Sequence, residues 1–447
     1  MLFHRRHLVA IGLGLGLMPV AAGAKPKTAE RPASNTTDLI PDGELDQTGA
    51  LQRLVDEAAN RKLPLHLPAG RFLVDSLNLR PGSRIIGASG ATILAHAGRG
   101  AMLVADLADN LRLEGLTIDG ALSPLDVNRT QGLLTIRRSA AITIRDLIVR
   151  DSLLNGIVLE QSGGQLTGCT ISSIGQAGIF STDAIGLDIS QNVVTNAANN
   201  GILVWRSTVG EDGTIVSGNR IEKIGATAGG TGQNGNAINV YRAGNVLVSG
   251  NRIADCAYTA IRGNAASNIQ MVANNCQRLG EVALYAEFGF QGALIANNIV
   301  DTAATGISVT NFNDGGRLAV VQGNLIRNLF RRDHEPEDKR GDGIAVEADA
   351  VVTGNTIENA PGCGIMIGWG KYMRDVSVSS NLVRSARVGI GVTGDVNAGA
   401  VMIQANMISG SKDGAIRALK LGVPYGPDLA LSRTESARVL IERNMAI

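Results

Sequence analysis

The residues of this chain best suited to chemistry lie between positions 205 and 347. Arg262, Tyr285, Glu287 and Glu347 are the candidate catalytic residues. For a lyase that acts on a uronic acid, Arg262 neutralises the substrate carboxylate while Tyr285 abstracts or donates a proton, helped by a cation that lowers the phenol pKa. For a glycoside hydrolase, Glu287 and Glu347 form the acid and base pair. Two solvated carboxylates are an equally good interpretation of that pair.

A second set of residues in the same stretch is suited to holding a sugar chain. Aromatic faces stack on sugar C–H faces, and amides pair with hydroxyl groups. The candidate substrate-binding residues are Trp205, Asn239, Tyr241, Asn264 and His334. His334 stands in a charged loop, at 331–340, that is placed above the other four. Exposed strand positions also favour Tyr, Trp and Thr without any ligand, so a purely structural interpretation stays open.

A repeat runs through most of the chain and must position these residues. Its first mark is an Asn, and in the first two repeats Asp146 and Cys169 take that place. The Asn positions are Asn192, Asn219, Asn251, Asn274, Asn297, Asn324, Asn355, Asn381, Asn406 and Asn444. Its second mark follows eight to ten residues later and joins a small residue to an aliphatic one, as in Gly156-Ile157, Gly201-Ile202, Ala260-Ile261, Gly306-Ile307 and Gly364-Ile365. Two marks in phase over about 300 residues indicate a solenoid.

The composition of the repeat decides which solenoid to expect. A leucine-rich repeat also fits Val246-x-Val248-x-x-Asn251. The second half of each repeat argues against it, because segments such as 306–309 alternate with period two and carry β-branched residues. The chain is therefore predicted to be an all-β, single-stranded parallel β-helix solenoid whose coils rise ~4.8 Å each. Inward aliphatic residues form its column: Ile253, Ile261, Ile299, Ile307, Ile357 and Ile365.

Alternation along the Gly-Ile strands predicts two rows of outward residues. The first row is Val158, Phe180, Leu203, Asn239, Arg262, Tyr285, Ser308, Ala345 and Met366. The second row is Glu160, Thr182, Trp205, Tyr241, Asn264, Glu287, Thr310 and Glu347. The rows become polar and aromatic between two long insertions, at 225–235 and 327–342, which favours a binding groove there. Glu287 and Glu347 lie two coils apart, so their Cα atoms are expected ~10 Å apart, a separation that suits an inverting hydrolase.

The repeat resembles that of the right-handed parallel β-helix proteins, the pectate-lyase-like superfamily, over residues 38–447. The stretch D-Q-T-G-A-L-Q-R-L-V-D-E-A-A from Asp46 resembles the N-terminal cap of this superfamily. That likeness implies an amphipathic helix over the first coil, N-capped by Asp46, with Leu51, Leu54, Val55 and Ala58 on one face. The polygalacturonase members use clustered Asp residues, which neither outward row contains, so the resemblance is specific for fold and unspecific for reaction.

The N-terminus predicts export. Residues 1–24 have a basic start with Arg5-Arg6, an apolar run and the site Ala22-Gly23-Ala24, and they resemble a twin-arginine signal peptide. A general secretory signal is the alternative. Residues 25–37 form a polar linker expected to be disordered, and residues 38–447 form the β-helix, with its N-terminal cap at 38–80. The expected partners are the twin-arginine translocase during export and then a polysaccharide or oligosaccharide in the bacterial periplasm or outside the cell.

Composition excludes several classes of function. The formal net charge is +1, so neither nucleic acid nor an anionic membrane is favoured as a partner, and no membrane anchor is expected in the mature form. The four cysteines have no metal-ligand spacing and are expected to be buried thiols. Acidic residues of the 331–342 loop have no repeated calcium-binding spacing, and no cofactor or metal is expected.

The sequence thus predicts an exported β-helix protein that binds a cell-wall or extracellular polysaccharide, and it leaves open whether the protein also cleaves it as a lyase or hydrolase. The alternative is a non-catalytic carbohydrate-binding or periplasmic accessory repeat protein.

Overall fold

A computed structural model describes residues 39–230, 232–332, 341–431 and 438–447. The predicted signal peptide, the linker and His334 lie outside these ranges, as do most of the acidic residues considered for calcium. Within them the chain forms a right-handed parallel β-solenoid of about 15 turns, which confirms the predicted fold class. No helix in the described ranges is long and apolar enough to cross a membrane.

Each coil contributes strands to three stacks, which we name by their place in the repeat. The pre-Asn stack is a 15-stranded sheet. Its strands are Leu65–His66, Arg84–Ile86, Arg112–Glu114, Ile142–Arg145, Gly164–Thr167, Leu187–Ser190, Ile215–Ser217, Leu247–Ser249, Ile269–Val272, Gln291–Ala296, Arg317–Gln322, Ala348–Thr353, Arg374–Ser379, Val401–Gln404 and Val439–Glu442.

The other two stacks share one 27-stranded sheet, because four long strands run through both. Those four strands are Asn275–Glu287, Ile299–Val309, Thr356–Ile367 and Leu382–Thr393. The post-Asn stack adds Asp42–Asp46, Gly70–Val74, Thr92–His96, Thr117–Asp119, Ile148–Ser152, Thr170–Ile174, Val193–Ala197, Arg220–Ile224, Arg252–Cys256, Leu325–Arg327, Met407–Ser409 and Met445–Ala446. The Gly-Ile stack adds Ser76–Leu79, Met102–Asp106, Gly132–Arg137, Asn155–Glu160, Ala177–Thr182, Asn200–Glu211, Asn236–Gly244, Ile261–Asn264, Ile344–Val346, Ile416–Lys420 and Val423–Asp428.

The repeated Asn forms a continuous hydrogen-bonded ladder at the corner between the pre-Asn and post-Asn stacks. The Oδ1 of Asn274 accepts bonds from the backbone N–H and from the Nδ2 of Asn251, each at 3.0 Å. The Nδ2 of Asn251 also donates to the carbonyl of Val216 in the preceding coil at 3.0 Å. Each amide therefore pairs buried backbone groups that the turn would otherwise leave without partners. Cys169 begins the ladder by donating its backbone N–H to Asn192.

The structure corrects three positions of the predicted repeat. The ladder residue between Asn274 and Asn324 is Asn298, which is buried, whereas Asn297 is exposed and has a left-handed backbone with φ of 58°. Asp146 likewise occupies the left-handed turn position, one residue before the ladder. The shift at Asn298 also turns Ile299 outward and leaves Val300 as the inward residue.

The small residue of the second mark is required by the close stacking of coils. A Cβ built on Gly306 would lie 2.4 Å from the carbonyl oxygen of Gly343, and one on Gly343 would lie 2.3 Å from that of Gly364. The aliphatic residues that follow, such as Ile307 and Ile365, are fully buried in the central column. Glycine thus lets consecutive Gly-Ile strands approach while the column stays filled.

Both ends of the solenoid carry additional elements. An α-helix at Thr48–Asn60 buries Leu51, Val55 and Ala58 over the first coils. It begins one residue later than an Asp46 cap requires; Gln47 holds the N-cap position, although Asp46 still accepts a bond from the Thr48 N–H at 2.9 Å. At the other end Val423–Asp428 pairs antiparallel with Ile416–Lys420, the one antiparallel strand pair among the described strands.

Candidate functional site

The Gly-Ile strands place the predicted site residues in the expected register. Asn239 pairs with Arg262, and Arg262 with Tyr285. In the neighbouring row Trp205 pairs with Tyr241, Tyr241 with Asn264, and Asn264 with Glu287. The register of both outward rows is confirmed through these strands. We call the surface formed by the two rows the Gly-Ile face.

Part of this face is buried rather than open to solvent, and described residues of both insertions, Gly232 and Arg332, contact it. The side chains of Arg262 and Glu287 are 8% and 3% exposed, and Arg262 Nε lies 2.6 Å from Glu287 Oε1. Glu281, 1% exposed, lies 3.7 Å from Arg262 and 3.9 Å from Arg332, a residue of the second insertion. These four residues form a buried charge block of two carboxylates and two guanidinium groups.

Asn239 and Asn264 hold this buried region in place. The Nδ2 of Asn264 donates to Glu287 at 3.0 Å, so its amide supports the charge block. The Nδ2 of Asn239 donates to the carbonyl of Gly232 at 3.3 Å and fixes the first insertion on the face. Both amides therefore have structural partners within the chain, which favours the structural interpretation of the two residues.

Tyr285 lies at the border of the charge block and its environment opposes ionisation. Burial raises the pKa of the Tyr285 phenol, and the nearby Glu287 carboxylate raises that pKa further. A hydrogen bond with Thr310 and the Arg262 guanidinium, 4.9 Å from the ring centroid, lower the pKa by less. Arg262 thus lowers the pKa of Tyr285 as predicted, but the net pKa is raised, because desolvation of the phenolate outweighs the cation.

Beyond Tyr285 the face opens into a cavity of about 250 Å³, which we call the Trp369 cavity. Its walls are Val282, Tyr285, Thr305, Ser308, Thr310, Asn311, Asn313, Ala345, Glu347, Met366, Trp369 and Tyr372. Glu347 is half-buried there and its Oε2 accepts a bond from the Phe312 N–H at 2.7 Å. Two predicted residues, Tyr285 and Glu347, thus share one cavity with hydroxyl groups, amides and two further aromatic rings.

Trp369 and Tyr372 are site residues that the row pattern missed. They flank a tight turn in which the Trp369 N–H donates to the Tyr372 carbonyl at 3.2 Å and the Tyr372 N–H donates back at 3.0 Å. The turn follows the strand Thr356–Ile367 directly, so both side chains lie beyond the last position that alternation can assign. The sequence signal was the second of only two Trp residues, three positions before a Tyr, in a chain with 3% aromatic residues.

Trp205 and Tyr241 lie on a different part of the face, before the buried charge block. Together with Phe180 they form an aromatic strip in which neighbouring rings pack edge to face. The ring centroids of Phe180 and Trp205 are 5.3 Å apart, and those of Trp205 and Tyr241 are 5.6 Å apart. Arg242 lies over the Tyr241 ring at 4.7 Å.

The candidate hydrolase pair is not brought together. Glu287 is bound to Arg262 and Asn264 inside the charge block, whereas Glu347 lines the Trp369 cavity, whose walls do not include Glu287. An inverting hydrolase needs both carboxyl groups to face one substrate. The buried Glu287, bound to Arg262 and Asn264, does not supply that arrangement, so the hydrolase pair stays a prediction.

Other features of the described residues do not form a competing site. They contain no group of three or more His, Cys, Asp or Glu residues arranged to hold a metal ion. All four cysteines are free and buried, as predicted. A wider depression of about 1330 Å³ lies on the outer surface of the pre-Asn stack, but Arg317 and Arg374 there are both bound to Asp349. A shallow surface with internally paired charges offers little to a small ligand.

Comparison with known proteins identifies the repeat region. A model described as the right handed beta helix region matches residues 131–228, 155–324 and 200–383, and these overlapping stretches span more than half of the chain. No curated protein matches the sequence.

Solved structures include several that resemble the solenoid. The pre-mature bacteriophage phi29 gene product 12 has a TM-score of 0.51 at 17% identity, over 89% of this chain and 58% of that one. PfbA, a surface adhesin of Streptococcus pneumoniae, has a TM-score of 0.47 at 13% identity, over 85% and 89%. The catalytic unit of the GH87 alpha-1,3-glucanase from Streptomyces thermodiastaticus strain HF3-3 has a TM-score of 0.46 at 14% identity, over 96% and 70%. The likeness to gene product 12, of which the chain spans less than two thirds, shows the fold alone.

Proposed function

Since the chain belongs to the right-handed β-helix family, whose solenoid exposes long strand faces, we propose that it binds a polysaccharide or oligosaccharide chain in the Trp369 cavity. The observation that carries the proposal is the composition of the cavity walls. Tyr285, Trp369 and Tyr372 supply rings for sugar C–H faces, and Ser308 and Thr310 supply hydroxyl groups between them. This mixture of apolar rings and convergent polar groups is what an oligosaccharide requires.

Binding is better supported than cleavage by the groups in and beside the cavity. Glu347 is the one carboxylate among its described walls, so a second acid or base for hydrolysis is missing there. Tyr285 has a raised pKa, which favours hydrogen bonding by the neutral phenol over proton abstraction. These two properties support a non-catalytic, carbohydrate-binding role for the cavity.

The test is a binding screen of the purified protein against soluble polysaccharides of different sugar composition. We expect retention of at least one of them in affinity electrophoresis, and weaker retention for Trp369→Ala and for Tyr372→Ala. The matched control is Phe330→Ala, since Phe330 is a half-buried aromatic residue outside the cavity. Retention unchanged in both cavity variants, or no retention of any polysaccharide, would contradict the proposal.

The same screen separates binding from chemistry. Each polysaccharide is incubated with the protein and then examined for unsaturated products and for new reducing ends. We expect neither product. Release of unsaturated products that stops in Tyr285→Phe would establish a lyase, and new reducing ends that disappear in Glu347→Gln would establish a hydrolase.

We further propose that the chain is exported by the twin-arginine translocase and acts in the periplasm or outside the cell. The support is Arg5-Arg6 ahead of a weakly apolar, glycine-rich run. Replacing both residues by Lys keeps the charge and removes the paired guanidinium groups. Export of that precursor is expected to stop; export at the unaltered rate would contradict the twin-arginine route.

A further inference from the structure

The outer surface of the pre-Asn stack carries an aliphatic stripe that begins abruptly. The stripe runs from Ile215 to Leu440, one residue per coil over nine consecutive coils in register. The same outward row is entirely polar in the preceding coils, where it consists of Arg84, Arg112, Thr143, Gln165 and Asp188. Ile215, Val351 and Leu440 are 41%, 41% and 45% exposed. A partly exposed row with seven apolar residues in nine coils marks an interaction surface.

The order of residues along the stripe is symmetric about its middle coil. Val320 is the fifth of the nine residues, with four on each side. Positions at equal distances from Val320 match in character: Leu294 with Val351, Gln270 with Ser377, Leu247 with Met402, and Ile215 with Leu440. The two polar residues therefore occupy equivalent places, and every aliphatic residue has an aliphatic counterpart.

We propose that this stripe is a two-fold interface between two copies of the chain, with the symmetry axis beside Val320. In a two-fold interface residue i contacts residue j of the partner while j contacts i, so a surface must be self-complementary. A second copy turned about an axis parallel to the strands meets the stripe with its coil order reversed. Val320 then faces its own equivalent, and Ile215 faces the position of Leu440 in the other copy.

The row beside the stripe is compatible with the same pairing. Gln322 neighbours Val320 and would meet its own equivalent, and two side-chain amides can exchange hydrogen bonds. Glu442, the last residue of that row, would meet Ser217 rather than another charge. Of the charges that flank the stripe, Arg317 and Arg374 are both bound to Asp349 within the chain. No like charges oppose each other in either row.

The dimensions of the stripe predict a weak dimer. The stripe is nine coils high, at ~4.8 Å per coil, and about 13 Å across along the strands. Two such surfaces in contact bury about 1,000 Å² in total, which is near the lower bound for a specific association. Flat sheets of this kind pack face to face through interdigitating side chains, as the two layers of a sandwich do. The contact is separate from the Trp369 cavity, since none of the stripe residues lines that cavity.

The first test measures the oligomeric state of the purified full chain by sedimentation equilibrium. We expect a concentration-dependent dimer, and we expect Val320→Lys to weaken it about tenfold or more, because two like charges then meet at the axis. Leu382→Lys is the control: Leu382 is 37% exposed on the outer side of the post-Asn stack, and its substitution is expected to leave the dimer unchanged. A monomer at about 100 μM, or a dimer insensitive to Val320→Lys, would overturn the proposal.

The second test uses the predicted pairing of the ends of the stripe. Ile215→Glu and Leu440→Lys each place one charge against an aliphatic residue, so each alone should weaken the dimer. In the chain that carries both substitutions, each new Glu meets a new Lys of the other copy, and association should recover. Far-ultraviolet circular dichroism of all three variants checks that the fold is retained. Failure of the double variant to recover would show that the copies do not pair by this two-fold axis.

Discussion

The Gly-Ile face carries aromatic residues in two places, and the two differ in what surrounds the rings. In the aromatic strip Trp205 packs edge to face with Phe180 and with Tyr241. In the Trp369 cavity, Tyr285, Trp369 and Tyr372 are interleaved with hydroxyl groups, and none of them belongs to a ring pair found in contact among the described residues. Rings that pack on one another stabilise a surface, whereas rings set apart beside polar groups can present a face to a ligand. Trp369 is the ring best placed for this, because Arg262 lies over the ring of Tyr285 and Lys371 over that of Tyr372.

The buried charge block separates these two places and explains why they are not one groove. Arg262 lies over Tyr285 and binds Glu287, and the side chains of Arg262 and Glu287 are both buried. On the strip side Arg242 lies over Tyr241 in a similar way but is more open to solvent. Two geometrically similar cation–ring pairs therefore differ mainly in burial, and burial decides how much each contributes to stability.

The largest expected effect is on the free energy of unfolding, when Arg262 and Arg242 are each replaced by Ala. Arg262→Ala leaves two buried carboxylates without one of their partners, so we expect the free energy of unfolding to fall by about 3 to 5 kcal/mol. Arg242→Ala removes a partly exposed cation from a ring and should cost about 0.5 to 1 kcal/mol. Urea denaturation followed by fluorescence measures both. Equal costs would mean that the two parts of the face do not differ in burial as described.

The next largest effect is expected on the free energy of ligand binding, when Trp369 and Trp205 are each replaced by Ala. Trp369→Ala is expected to weaken binding of the retained polysaccharide by about 2 kcal/mol, the loss typical of an aromatic residue central to a site. Trp205→Ala should change it by less than about 0.5 kcal/mol, because that ring is packed against its neighbours. Isothermal titration calorimetry measures both. The reverse result would move the binding site to the aromatic strip and restore the roles first predicted for Trp205 and Tyr241.

The fold was predictable from sequence because a solenoid repeats one local solution. Period-two alternation after each Gly-Ile mark was enough to assign both outward rows, including the neighbours Asn239, Arg262 and Tyr285. The repeat failed at Asn297 because two adjacent asparagines both fit the spacing. The choice of Asn298 depends on which residue takes the left-handed turn, and either Asn tolerates that backbone.

The candidate site was less predictable because insertions do not follow the repeat. Alternation correctly turned Arg262 and Glu287 away from the column, but it could not show that both side chains are buried and paired with each other. In this buried region Glu287 is bound to Arg262, which removes it as a free acid or base. Burial also raises the pKa of Tyr285, which opposes the proton abstraction expected of a lyase base. Trp369 was missed for the related reason that it lies in a turn, where no periodicity assigns a direction.

The smallest effect is expected at alkaline pH and tests the environment of Tyr285. The pKa of this phenol is raised in the folded chain, chiefly by burial, above its ordinary value of about 10 in the unfolded chain. The neutral Tyr285 phenol therefore makes its full contribution to the free energy of unfolding below pH 10. That contribution is lost as the pH rises, because the unfolded chain releases its proton first. Between pH 10 and 11 we expect the protein to lose about 1 kcal/mol more of its free energy of unfolding than the Tyr285→Phe variant does.

The measurement is urea denaturation of both proteins at a series of alkaline pH values. Tyr285→Phe keeps the ring over which Arg262 lies and removes only the ionisable hydroxyl group, so the difference between the two curves isolates that group. A steeper loss in the unsubstituted protein supports a neutral phenol that acts as a hydrogen-bonding wall of the Trp369 cavity. Identical slopes would mean that Tyr285 ionises as readily in the folded state as in the unfolded state. In that case Tyr285 would again be a candidate base for lyase chemistry, and the Trp369 cavity would be a candidate catalytic centre rather than a binding site alone.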